Sequence, residues 1–205
     1  MKKQKLSTVK QIAVCGLLMM SAQSCTTEVN NSHQKEQAKV EQPSIENQAD
    51  LVKRGEYLVT LSGCNDCHSP KKMNENGMPV PDPELLLSGH LQGMELAPYD
   101  KSTVKNWVLM NMNMTAAIGP WGISYAANIT SDSTGIGLWT EQQFIKAMQE
   151  GKYKGIEGSR PLLPPMPWPN YAAMSDEDLR AVFAFLQTTK PIKNNVPAYQ
   201  PPLKN

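Results

Sequence analysis

Eleven residues, "SGCNDCHSPKK" from Ser62 to Lys72, constrain this chain more than any other stretch. Cys64 and Cys67 stand three apart and His68 follows at once. Two thiols and an imidazole this close call for a shared task. A zinc site needs two further strong ligands, and no second cysteine pair exists. A thioredoxin-like dithiol needs a βαβ setting, which the flanking sequence lacks. A plain disulfide stays possible on spacing alone. The compartment narrows the choice, and the N-terminus gives it.

"MKKQKLSTVKQIAVCGLLMMSAQSC" begins with lysines, runs apolar from Ile12 to Met20 and ends small and polar. That is the layout of a secretory signal peptide, spanning residues 1–24. The apolar run is too short for a permanent membrane helix. Ser24-Cys25 after it resembles the lipobox of bacterial lipoproteins, in which the cysteine is acylated. Ala22 stands where leucine is usual, and Ala22-Gln23-Ser24 also fits an ordinary cleavage site. Lipidation gives Cys25 a task; otherwise it is an unpaired thiol in an exported protein. Residues 25–50 are almost wholly polar and read as a disordered tether with a reach of roughly 25–30 Å. The folded domain is expected over residues 51–205. Removing residues 1–24 takes four of 20 basic residues and none of 19 acidic ones, leaving a net charge of −3. No nucleic-acid partner is implied.

In an exported chain the histidine decides. C-x-x-C-H is the attachment signature of c-type haem. Two thiols one helical turn apart reach the two vinyl groups along one porphyrin edge and form thioethers. The next residue, His68, then ligates the iron. Cys64, Cys67 and His68 are therefore the predicted attachment and ligand residues of one covalently bound haem c.

Three helices frame the motif. "DLVKRGEYLVTLSG" predicts one capped by Asp50, with Leu51, Leu58 and Leu61 on its inner face. "LWTEQQFIKAMQEGK" predicts another, with a Thr140–Gln143 capping box, Phe144, Ala147 and Met148 inward and Gly151 as its stop. "MSDEDLRAVFAFLQTTKP" predicts the last, with a Ser175–Asp178 box and a core stripe of Leu179, Val182, Phe183 and Leu186. Met110, Met112 and Met114 alternate with other residues and predict a strand. The segment through Gly119-Pro120 predicts a short β-hairpin.

The stretches "GEYLVTLSGCNDCH", "AANITSDSTGIGLWTEQQF", "LLPPMPW" and "MSDEDLRAVFAFL" resemble class I c-type cytochromes. They are similar in particular to haem domains of the cytochrome subunits of bacterial membrane-bound dehydrogenases. The resemblance covers Gly55 to Pro197, about two-thirds of the chain. It implies a mainly α class I cytochrome c fold with an enlarged segment between haem motif and methionine loop. Gly55 and Tyr57 match the glycine and aromatic of the N-terminal helix, where the glycine permits a close crossing with the C-terminal helix. The class presents its second iron ligand in a loop just ahead of the last helix. Prolines on both sides of Met166 hold that residue in such a loop, so Met166 is the expected ligand. Met174, beside the helix cap, is expected to pack in the core. His90 is the rival from another ligand class. Trp139 opens the helix before the methionine loop, where the class places a tryptophan that donates to a haem propionate. The dehydrogenase subunits usually carry several haems; this chain has one C-x-x-C-H.

One six-coordinate haem with no catalytic constellation implies an electron carrier rather than an enzyme. The alternative is a haem enzyme or gas sensor with an open or labile sixth position. The expected setting is a periplasmic or cell-envelope respiratory chain, lipid-anchored at a membrane. The expected partners are redox proteins: a dehydrogenase, an oxidase or another cytochrome.

Overall fold

The computed structural model describes residues 47–202. The expected signal peptide, Cys25 and nearly all of the expected tether lie outside the described residues. Helix α1, Gln48–Leu61, starts before Leu51, because Asn47 rather than Asp50 caps it: the Asn47 side chain accepts from the Asp50 N–H at 3.0 Å. Gly63, left-handed at φ 65°, then breaks the chain direction. It leads into the five-residue α2, Cys64–His68, which is the C-x-x-C-H motif itself.

The enlarged segment is where the strands lie. β1 (Lys71–Met73) and β2 (Pro79–Pro81) form one antiparallel pair. β3 (Leu109–Met110), β4 (Ala116–Gly119) and β5 (Gly122–Tyr125) form a three-stranded antiparallel sheet in that order. The β4–β5 hairpin turns at Pro120-Trp121, as the Gly-Pro signal predicted. The strand through Met110 is shorter than its alternation implied. Residues 111–114 turn instead, with Met114 at φ 58°. Asn111 causes this: its carbonyl accepts from Met114 N–H at 2.8 Å while its side chain takes Ala116 N–H at 3.0 Å. The fold is thus a helical core with two small antiparallel sheets.

The remaining helices are α3 (Glu141–Glu150), the single turn α4 (Trp168–Tyr171) and α5 (Asp176–Leu186). Both arms of the Thr140–Gln143 box are made, and Gly151 ends α3 at φ 63°. The second box is only half made. Ser175 Oγ accepts from Asp178 N–H at 3.1 Å, but the Asp178 carboxylate turns across to α1 and takes Arg54 Nε at 2.9 Å.

The core is built by α1, α3 and α5 from Leu58, Val59, Phe144, Leu179, Ala181, Val182 and Leu186, with Leu87 and Ile136 from loops. Leu61 does not join it and is 67 % exposed. Ten residues from Leu51, it has rotated off the stripe, and Gly55 and Val59 take the inner positions. Tyr57 is likewise exposed, with Arg54 over its ring at 5.6 Å. At Gly55 the backbones of α1 and α5 nearly touch: a Cβ there would sit 1.9 Å from Ala181 O.

After α5 the chain runs back as an extended arm held by polar side chains. Asn194 is buried. Its Nδ2 donates to Ser88 O at 2.7 Å and His90 O at 3.0 Å, and its Oδ1 accepts from Gln92 N–H at 2.8 Å. Asn128 Nδ2 donates to Ile192 O at 2.8 Å and Thr134 Oγ1 at 3.1 Å. Thr134 Oγ1 in turn accepts from Asn194 N–H at 2.9 Å. The polar part of "NITSDSTGIG" is therefore a clip for the arm, each buried group satisfied. The arm then pairs Gln200 with Ile123 at the edge of β5.

Candidate functional site

A cavity of about 560 Å³ opens between α2, the β4–β5 hairpin, α3, the loop before α4 and the C-terminal arm. That volume lies within the ordinary range of small-molecule and cofactor sites, about 300–1,000 Å³. Cys64, Cys67, His68, Trp139 and Met166 all line it, together with Met174, Met110 and Met114. The five residues singled out in the sequence, drawn from 103 positions of chain, thus meet at one wall-lined space.

The Cys-His turn is held rigidly. Lys71 Nζ donates to Asp66 O at 2.8 Å and Asn65 O at 3.1 Å, placing a cation on the C-terminal carbonyls of α2. Ser69 Oγ donates to Asn65 Oδ1 at 2.7 Å and accepts from Leu87 N–H at 2.8 Å. Tyr171, on α4, donates its hydroxyl to Ser62 O at 3.0 Å just ahead of the motif.

His68 is buried, and its Nδ1–H donates to Ala127 O at 2.8 Å. That bond fixes the tautomer and leaves Nε2 with a free lone pair. Nε2 has no hydrogen-bond partner among the described residues, yet no buried side-chain atom is left sealed without one, so Nε2 is open to the cavity. Burial holds the imidazole neutral, against the Ala127 bond, which favours the charged form. A neutral ring, oriented by its other nitrogen, is what a metal ligand requires.

Cys64 and Cys67 are free thiols, both half-buried. Burial pushes the Cys64 thiol up to about 11 and raises Cys67 as well. A redox dithiol needs the opposite, a depressed thiol with thiolate character. Among the described residues no three His, Cys, Asp or Glu side chains converge tightly enough to hold one ion. The two thiols and the imidazole suit separate points of one larger group.

Met166 lies in a loop braced at both ends. Ser124 Oγ, from β5, donates to Pro164 O at 2.6 Å, and Trp121 Nε1 donates to Ser124 Oγ at 3.1 Å. Beyond the methionine, Trp168 packs so closely on Gly151 that a Cβ there would lie 2.4 Å from the indole. Met174 also reaches the cavity while packing against the helical core. Trp139 does both as well, and its indole N–H makes no hydrogen bond among the described residues. His90 is placed elsewhere. It does not line the cavity, and it is fully buried with Nδ1 bonded to Thr115 Oγ1 at 2.9 Å and Nε2 to Met94 O at 3.1 Å. With both nitrogens engaged it is a structural histidine.

Sequence reasoning missed Ser124, Tyr171, Lys154, Arg160 and the arm residues Val196 to Tyr199, all of which line the cavity. Only the polar, glycine-bearing run from Asn128 to Gly137 carried any signal of them, because its polar residues serve the arm.

No family model matches the chain. Several curated proteins do. The cytochrome c subunit of a quinone-dependent alcohol dehydrogenase from Gluconobacter oxydans is 32% identical over 157 residues, 75% of this chain and 25% of that protein. The gluconate 2-dehydrogenase cytochrome c subunit of Pantoea cypripedii is 34% identical over 136 residues, 66% of this chain and 22% of its own. The fructose dehydrogenase cytochrome subunit of Gluconobacter japonicus is 29% identical over 153 residues, 74% and 24% of the two chains. The chain spans about a quarter of the length of the relatives it matches.

Proposed function

We propose, on the premise that the homologues of this chain are cytochrome c subunits of membrane-bound dehydrogenases, that it is itself a single-haem c-type cytochrome of class I fold. It passes electrons one at a time in a cell-envelope respiratory chain, and a dehydrogenase is the natural donor. The observation that carries the reading is the joint placement of Cys64, Cys67, His68 and Met166 on one largely apolar cavity.

The residues fit the cofactor. Cys64 and Cys67, both free thiols at the cavity wall, would hold it by thioethers. His68 would ligate through the open Nε2, with Ala127 O fixing its orientation. Met166 is the proposed second ligand, because its loop is pinned to β5 through Ser124 and to α3 through Trp168. Trp139 is the proposed propionate donor, its indole N–H being without a partner among the described residues. Bound haem supplies an iron that alternates between ferric and ferrous states. The chain's own part would be to offer His68 and Met166 as ligands, a pairing that favours a high potential, and to surround the group with the cavity's largely apolar wall. The role proposed is electron transfer, in keeping with homologues that are cytochrome subunits of dehydrogenases.

Export by residues 1–24 and lipidation at Cys25 complete the proposal, with the tether read over residues 25–50, whose last residues, Gln48 to Asp50, stand in α1. Their support is the basic-apolar-polar layout ending in cysteine. No helix among the described residues is long and apolar enough to cross a membrane.

The test is the visible spectrum of the protein made with a c-type maturation system. A sharp reduced α band, a sulfur-to-iron band when oxidised and peroxidase stain retained on a denaturing gel are expected. Haem lost on denaturation would end the covalent reading, and a five-coordinate spectrum would favour the enzyme or sensor class.

A further inference from the structure

The cavity has an unusual charge make-up. No Asp or Glu lines it, and its cations are two, Lys154 and Arg160. Neither makes an ion pair among the described residues. The nearby acid, Glu157, is engaged by other lysines: Lys146 Nζ at 2.6 Å and Lys152 Nζ at 2.5 Å. Two cations border an apolar space with no acid opposite them, which makes the cavity's mouth a favourable place for a ligand with negative charge.

Both are held in place. The Arg160 guanidinium lies over the Tyr153 ring, 3.9 Å from its centroid, with the Tyr199 ring at 5.6 Å. One N–H donates to Pro161 O at 2.9 Å, which leaves the rest of the planar fork free. The two rings are themselves fixed. Tyr153 N–H donates to Arg160 O at 2.9 Å, and Tyr199 donates its hydroxyl to Trp121 O at 2.6 Å beside the Gln200–Ile123 bridge. Lys154 sits at φ 58°, a left-handed conformation that a lysine adopts only where its surroundings impose it. Gly155 follows at φ 62° and presses on α3, where a Cβ would lie 2.0 Å from Gln143 O. The backbone of this turn is therefore held against α3, and the Lys154 ammonium lies over the Tyr153 ring, 5.5 Å from its centroid.

We infer that Lys154 and Arg160 form a carboxylate seat at the cavity, taken by the propionates of the bound haem. This rests on the haem reading above. The chemistry matches: two carboxylates meet two cations, and a forked guanidinium pairs a carboxylate bidentately. The alternative source of the same chemistry is an acidic side chain on a docked redox partner. The seat also bears on function. A cation beside the haem favours the state with the extra electron, so Lys154 and Arg160 would raise the midpoint potential.

The experiment uses the full chain with haem attached, as wild type, Lys154→Gln, Arg160→Gln, Arg160→Lys and the double glutamine variant. Spectroelectrochemistry gives the midpoint potential, and resonance Raman gives the propionate bending band. Both glutamine variants should shift the Raman band and lower the potential, the double most, with the α band unchanged and Arg160→Lys closest to wild type. Lys154 is exposed, so its variant reports even if an Arg160 change disturbs folding. An unmoved band and potential in Lys154→Gln and the double variant overturn the seat while the haem reading stands. The same holds if only the salt dependence of association with an acidic redox partner changes, which assigns the cations to docking. A wild-type chain that takes no haem overturns both readings.

Discussion

Replacing Gly55 by alanine adds one methyl group at the tightest point of the fold. The new Cβ would meet Ala181 O at 1.9 Å, Ala181 C at 2.6 Å and Phe185 Cβ at 2.7 Å. The first two are backbone atoms, so no rotamer change relieves the clash. Ordinary contact is reached only if α1 and α5 part by roughly 1.5 Å. Such a gap forfeits a quarter to a half of each dispersion contact along the seam. Leu58, Val59, Leu179 and Leu186 lie in that seam. At about 1.5–3 kcal/mol for burying each such side chain, losing a quarter of it four times costs about 1.5–3 kcal/mol. Residual strain adds about 1–3 kcal/mol. Alanine returns about 1 kcal/mol through helix propensity. The expected net loss is about 1.5–5 kcal/mol, a large share of an ordinary domain's margin of about 5–15 kcal/mol. Urea unfolding followed by far-UV circular dichroism measures it. The haem bands of the same samples should weaken early, because α1 runs through Ser62 and Gly63 straight into Cys64. A Gly55→Ala protein within about 0.5 kcal/mol of wild type would refute the close crossing, since propensity alone would then favour alanine.

Met166→Ala should abolish the sulfur-to-iron band, lower the midpoint potential and open the iron to carbon monoxide. Met174→Ala should keep the band and cost roughly 1–2 kcal/mol in stability, below the full core range because Met174 is half-buried; survival of the band in the first and its loss in the second would reverse the assignment. Asn194→Ala should cost about 3 kcal/mol in chemical denaturation, because Ser88 O, His90 O and Gln92 N–H lose their partner together. A cost below about 1 kcal/mol would mean that water replaces the clip. Cys25→Ser should move the exported and cleaved protein from the membrane fraction to the soluble one, and an unchanged distribution would exclude lipid as the anchor.

What could be read from the sequence was what local chemistry dictates. Cys64, Cys67 and His68 stand out because two thiols and an imidazole on a single turn form a pattern that spacing alone displays. The Thr140–Gln143 box and the Gly151 stop are also local, and both formed as read. Local signals failed where a distant group competed for the same atoms. Asp178 had the spacing for a capping box, but Arg54 on α1 took its carboxylate. Asn47 outcompeted Asp50 for the helix start, and Asp50 became the donor to its cap. The Met110–Met114 alternation looked like a strand, yet one asparagine side chain satisfied the backbone as a turn.

The far wall of the cavity had no local signature at all. Ala127 orients His68 from 59 positions away, Tyr171 reaches Ser62 from 109, and Asn194 binds Ser88 from 106. Such contacts obey no period. One indirect trace existed: Asn128, Thr130, Thr134 and the close-packed Gly135 and Gly137 make a polar, glycine-bearing run that would be poor as strand or helix. It is good only as a buried clip whose partners lie elsewhere. Its partner is the C-terminal arm, and the arm supplies Tyr199 beside Arg160. The same clip that closes the cavity thus also fixes one of the two rings holding its guanidinium. Loosening Asn194 should therefore be felt at the haem as well as in stability, as a fall in midpoint potential. Asn194→Ala with an unchanged potential would separate the arm from the cavity's charge.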